Sequence, residues 1–146
     1  MMSTASPAAM IRDLRSRTNG LASALVARDG RVLYADLPPD VYAETFAIMW
    51  ATVLGAAATA SRELRRAPPE RIVVGAEDSR TLILASGRDA FVVLVVGPSS
   101  DVDTVLPILR AFADLLRSDR TDERRPERAT PGVPGSAARA TRSRNG

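Results

Sequence analysis

Residues 21–36 read LASALVARDGRVLYAD, two apolar runs on either side of Asp29-Gly30. Asp-Gly between apolar runs is the strongest short-range hairpin signal, because a type I′ turn needs φ > 0 at both central positions. The reading predicts antiparallel strands over Leu21–Arg28 and Arg31–Asp36. With that hairpin fixed, the rest of the chain can be read outward from it.

Upstream, Ala8–Arg17 places Met10, Ile11 and Leu14 at i, i+1 and i+4 with charges on the other side, the pattern of a short amphipathic helix. Asn19-Gly20 is expected to stop it, with the glycine supplying the positive φ. Residues 1–7 are expected to be a disordered N-terminus. Downstream, Leu37-Pro38-Pro39-Asp40 introduces a long helix that runs to about Arg66 and stops before Pro68-Pro69. Asp40 at its start and Arg62, Arg65 and Arg66 near its end both suit the helix dipole.

Three strands follow, over Glu70–Ala76, Thr81–Ser86 and Ala90–Gly97. Phe91–Val96 is apolar without a break, so both faces of that strand are buried and it belongs in the middle of the sheet. Ser100 or Asp101 then caps a last helix to about Arg117, whose apolar stripe is Val105, Ile108, Leu109, Phe112, Leu115 and Leu116. The order is α-ββ-α-βββ-α. Short links favour an antiparallel sheet with helices on its faces, an α+β domain over residues 8–117. From Ser118 to Gly146 the only large aliphatic is Val133, and Pro, Gly, Ser, Thr, Ala and Arg dominate. That composition predicts a disordered, basic tail over 118–146.

Composition removes most familiar chemistry. The 146 residues include no Cys and no His, and all 20 basic residues are Arg. Disulfides, thiolate or Ser-His-Asp catalysis, imidazole metal ligation, lysine Schiff bases and Walker-type phosphate loops are all excluded. The acids Glu77-Asp78, Asp101 and Asp103 read as turn and capping residues rather than a catalytic pair. Tyr34 and Tyr42 read as packing residues, and Arg28, Arg31 and Arg88 at strand ends as solvated. The expectation is a protein that is not an enzyme, with no catalytic, cofactor-binding or metal-binding residues.

Residues 117–146 carry 8 Arg against 4 acids, whereas residues 1–116 carry 12 Arg against 13 acids. A basic tail on a neutral body is not the footprint of a nucleic-acid-binding domain, so no nucleic acid is expected. No secretory signal is visible. Thr45–Ser61 has no charge but is rich in Ala and Thr and short for a bilayer, so no membrane span is expected and the protein is placed in the cytoplasm.

The long helix is unusual. Phe46, Trp50, Val53, Ala57 and Leu64 make a stripe that would cover the sheet. A quarter turn away Ala47, Ala51, Leu54, Gly55 and Ala58 are also apolar, and Ile48, Met49 and Thr52 extend the wall. A helix that is apolar all round is buried all round, and one sheet covers only one side. Either the first and last helices wrap round to cover the rest, or another protein surface does, and small residues at four-residue spacing suit a second copy of the same helix.

The hairpin ALVARDGRVLYA, the helix segment LGAAATAS and the succession of elements resemble the roadblock / dynein light chain family over about residues 10–117. The resemblance implies a five-stranded antiparallel sheet with a long helix on one face and two helices on the other. It implies dimers formed through the long helix and the neighbouring strand, here giving a seam of Ala47, Ile48, Ala51, Leu54, Gly55 and Ala58 with Ile72 and Val74. It implies a homodimeric adaptor or scaffold of the prokaryotic type, which binds and modulates a small Ras-like GTPase by activating or by placing it, with no cofactor. The alternative is a small-molecule sensor domain of similar fold, which needs convergent polar groups in an apolar pocket.

Overall fold

The computed structural model describes residues 5–124. They fall in two units, Met1–Leu116 and Arg117 onward. The first unit holds helix α1 (Pro7–Arg17), strands β1 (Ala22–Ala27) and β2 (Val32–Asp36), helix α2 (Ala43–Glu63), and strands β3 (Arg71–Gly75), β4 (Arg80–Ser86) and β5 (Ala90–Val96). Helix α3 (Val102–Arg124) begins in it and continues into the second, of which Arg117–Arg124 are described. The α-ββ-α-βββ-α order is therefore observed.

The five strands form one antiparallel sheet in the order β2-β1-β5-β4-β3. β5 lies at the centre, between β1 and β4, as its unbroken apolar run predicts. Alternation along the strands sends side chains to two cores. Leu25, Leu82, Leu84, Val92, Leu94 and Val96 pack beneath α1 and α3 with Ile11, Leu14, Leu109, Phe112 and Leu116. Ala24, Val26, Ile83, Phe91 and Val93 pack beneath α2 with Ala47 and Leu54. The long helix thus has one face of the sheet to itself.

Two buried hydroxyls fasten the first core. Ser23 Oγ donates to the Ile11 carbonyl at 2.8 Å, and Ser86 Oγ donates to the Ala113 carbonyl at 2.7 Å. Arg15 reaches across from α1 to the Asp36 carboxylate at 3.0 Å, fixing the end of β2.

The turns correct the sequence reading in detail. The β1–β2 hairpin forms, but its loop has three residues, Arg28, Asp29 and Gly30. The Gly30 N–H donates to the Ala27 carbonyl at 2.8 Å, the Ala27 N–H donates to the Arg31 carbonyl at 2.9 Å, and of the three only Gly30 has positive φ, 97°. This is a tight turn closed by a left-handed glycine, one residue longer than the expected type I′ turn. Asp29 accepts from the Arg31 side chain at 3.0 and 3.2 Å, and this pairing holds its carboxyl below the ordinary carboxylate value. After α1 it is Asn19, not Gly20, that takes the left-handed conformation, with φ 54°. The Gly20 N–H reaches the Arg15 carbonyl and the Asn19 N–H the Ser16 carbonyl, the pairing of a Schellman stop. Gly20 serves close approach instead, since a Cβ there would sit 3.0 Å from Leu94 Cδ1.

The helix ends also differ. α1 starts at Pro7, with Ser6 Oγ accepting from the Ala9 N–H at 3.1 Å, so residues 5–7 belong to the ordered body. α3 is capped by Asp101, which accepts from the Asp103 N–H and the Thr104 hydroxyl. It runs seven residues past Arg117 into the stretch expected to be tail. No Gly or Pro interrupts 118–124, and this polar stretch continues as helix to Arg124, the last residue described. The rest of the expected tail, 125–146, and residues 1–4 of the expected N-terminus lie outside the described residues.

Candidate protein–protein interface

α2 is the longest helix of the first unit, yet only Ala47 and Leu54 of its 21 residues are buried. At 3.6 residues per turn, residues 43, 47, 50, 54, 57 and 61 form one stripe. Each of them is buried or half-buried, so this stripe faces the sheet. The opposite stripe, Thr45, Met49, Thr52, Ala56, Thr59 and Glu63, is exposed along its whole length. Ile48 at 47 %, Met49 at 53 % and Val53 at 37 % exposure make the outer surface apolar. No charged side chain occurs between Glu44 and Arg62.

The all-round apolar character read in the sequence therefore leaves an open face, and α1 and α3 do not wrap round to close it. They lie on the far side of the sheet.

The structure redistributes the expected seam. Ala47 and Leu54 are corrected: at 1 % and 4 % exposure they are the residues that pack on their own sheet. The expected sheet-facing stripe is corrected with them. Val53 is on the open side, and Leu64, just past the helix, is 75 % exposed, while Phe46, Trp50 and Ala57 are half-buried. The periodicity was legible, but its phase was not, since apolar residues occur on every face and only three threonines, Thr45, Thr52 and Thr59, mark the outward one. Gly55 is exposed, with nothing within 4 Å of the position its Cβ would take, and Ala51 and Ala58 are half-buried.

Ile48 is turned toward the hairpin. A Cβ built on Gly30 would meet its Cγ1 at 3.1 Å and its Cα at 3.4 Å, so this flank of α2 faces the β2 edge of the sheet. The opposite flank, with Phe46, Val53, Ala57 and Ala60, consequently faces the β3 edge.

β3 completes this surface. It ends the sheet, so its outer backbone groups have no strand beside them. Ile72 and Val74 share the α2 side with Ile83 and are half-buried, whereas Arg71, Val73 and Gly75 are exposed. The two expected strand residues therefore sit next to the uncharged β3-facing flank of α2. A helix flank and an adjoining open strand edge, both apolar, make a surface suited to burial against another protein.

A family model for the Roadblock/LC7 domain matches residues 8–96. The chain belongs to the Roadblock/LC7 domain family. An uncharacterized protein of Methanocaldococcus jannaschii, MJ0714, is 34% identical over 80 residues, spanning 54% of this chain and 68% of that one. Among solved structures, Myxococcus xanthus MglB superposes with a TM-score of 0.77 at 11% identity, covering 83% of this chain and 99% of MglB. A Roadblock/LC7 domain from Streptomyces avermitilis gives 0.72 at 15% identity, covering 78% and 97%. Three helices around a five-stranded antiparallel sheet are the fold of these proteins. The match over most of the first unit establishes this chain as a roadblock domain of the regulatory and adaptor kind.

Proposed function

We propose that the protein is a non-enzymatic, homodimeric, cytoplasmic adaptor that binds a small Ras-like GTPase and modulates it. The observation that carries this reading is the uncharged β3-facing flank of α2 beside the open edge of β3, in a chain that belongs to the Roadblock/LC7 family. Two copies related by a two-fold axis would join their β3 edges into one ten-stranded sheet and lay their α2 helices side by side. The seam then consists of Phe46, Val53, Ala57 and Ala60 with Ile72 and Val74. The outward stripe, Thr45 to Glu63, stays open for the GTPase and favours one state of its switch segments through binding energy.

The sensor alternative gains no observation in its favour. The apolar cleft between α1 and α3, about 360 Å3, is lined by Met10, Phe112 and Leu115, and its two charged walls, Asp13 and Arg17, pair with each other at 3.2 Å. No convergent polar group is left to orient a ligand.

The test is the solution mass of the full chain by light scattering through a dilution series, beside Val53→Arg. The dimer mass is expected for the parent and the monomer mass for a soluble, folded variant. A Ras-like GTPase from the same genome should coelute with the parent and not with Val53→Arg. A parent that stays monomeric at every concentration overturns the dimer, and coelution unaffected by the variant overturns its role in GTPase binding.

A further inference from the structure

The chain leaves α2 through an exposed corner. Arg62, Glu63, Leu64, Arg65, Arg66, Ala67 and Pro68 are all exposed, and Leu64 at 75 % is among the most exposed apolar side chains of the described residues. Arg15, Arg17, Arg31 and Arg110 each face a carboxylate within 4.0 Å. Among the described residues Arg65 and Arg66 make no such pair, nor do Arg12, Arg28, Arg71, Arg80 and Arg88, which are scattered over the fold, and Arg62 reaches only the Thr59 hydroxyl at 3.3 Å. Arg62, Arg65 and Arg66 therefore lie within two residues of one exposed leucine and, with the exposed Glu63 beside them, give the corner a net charge of +2.

The backbone adds an independent observation. Arg65 has φ 57°, and the Arg66 N–H donates to the Ser61 carbonyl at 2.9 Å, so Arg65 occupies the left-handed position of a Schellman stop. Glycine takes that position at no steric cost, whereas a side chain there costs about 1 kcal/mol. The chain carries a destabilising arginine where the fold prefers glycine. Arg65, unlike the asparagine at the corresponding position after α1, thus keeps a long charged side chain at the corner at a small cost in stability.

We propose that this corner, Arg62, Leu64, Arg65 and Arg66, docks the domain on an anionic lipid surface. The guanidinium groups meet the headgroup phosphates, and Leu64 enters the headgroup–acyl boundary between them. An acidic protein surface would satisfy the arginines with carboxylates but gives the projecting leucine no apolar layer to enter. A lipid interface supplies both, with phosphate outside and hydrocarbon beneath. A folded corner of this kind differs from a diffuse basic tail in that its contribution depends on Leu64 and on the position of three arginines. The inference does not depend on the GTPase reading.

The experiment is cosedimentation of the full chain with vesicles of phosphatidylcholine and phosphatidylglycerol, and with phosphatidylcholine alone. Binding is expected to the anionic vesicles only and to weaken with salt. Replacing Arg62, Arg65 and Arg66 by Gln should reduce partitioning by about fivefold per arginine. Leu64→Ser should reduce it with charge unchanged. Arg65→Gly should raise the melting temperature yet weaken binding, two shifts that a purely structural cap would not combine. A companion variant with the five arginines of 125–146 changed to Gln reports the tail separately. Equal binding to both vesicle types, no binding by the parent, or full binding by the folded corner variants overturns the proposal.

Discussion

Gly30 answers to two demands at once. Its φ of 97° closes the hairpin, and the space its Cβ would fill belongs to the Ile48 side chain and backbone of α2. Gly30→Ala is therefore expected to destabilise the domain by about 2 kcal/mol, part from the left-handed backbone and part from pushing hairpin and helix apart. Chemical denaturation of the variant checks this, and a loss below about 0.5 kcal/mol contradicts it. The position of the turn was legible because Asp-Gly punctuates two apolar runs. Its length was not, since a three-residue loop uses the same dipeptide as a two-residue one. The same limit applies at Asn19 and Gly20: asparagine tolerates the left-handed region, so local chemistry permits either residue to take it, and the approach of Leu94 decides.

At the scale of the element, every strand and helix was legible from periodicity and punctuation, to within three residues at nearly every boundary. The exception is the end of α3, where a polar sequence without Gly or Pro is still helical at Arg124, the last described residue. The orientation of α2 was hidden for a definite reason. Amphipathic contrast tells a reader which side of a helix faces the core, and in α2 it is weak: Thr45, Thr52 and Thr59 mark the outward side, but Met49 and Ala56 share that stripe. The consequence can be measured on adjacent positions. Leu54→Ala should cost about 3 kcal/mol because it opens a cavity over the sheet, while Val53→Ala, one residue away on the open side, should change the stability of a monomer by no more than about 0.5 kcal/mol. Similar losses at both positions in dilute protein would place Val53 in the core and refute the assigned phase.

For the whole molecule, the candidate interface was legible as a surplus of apolar surface on one helix. The individual residues are harder to read: Ala47 and Leu54 lie beneath the helix, and the stripe that periodicity assigns to the sheet is the β3-facing flank. If folding is coupled to pairing, the melting temperature of the parent should rise with protein concentration, and that of Val53→Arg should not. Identical, concentration-independent melting of the two would separate folding from association. The charge asymmetry also acts at this scale. The neutral first unit can approach another copy of itself without long-range repulsion, while the surplus of positive charge belongs to residues 117–146.

The central place of β5 also governs timing. β1 and β2 are made early, β3 and β4 later, and neither hairpin touches the other. Only β5, the last strand to be synthesised, pairs with β1 on one side and β4 on the other. Ala22, among the first strand residues to leave the ribosome, finds its partner Val95 only after more than seventy further residues have been added. Until then two half-sheets and a helix uncharged between Glu44 and Arg62 wait with their apolar faces uncovered. A chain that ends before residue 90 lacks the one strand that joins the two half-sheets and keeps their inner edges open.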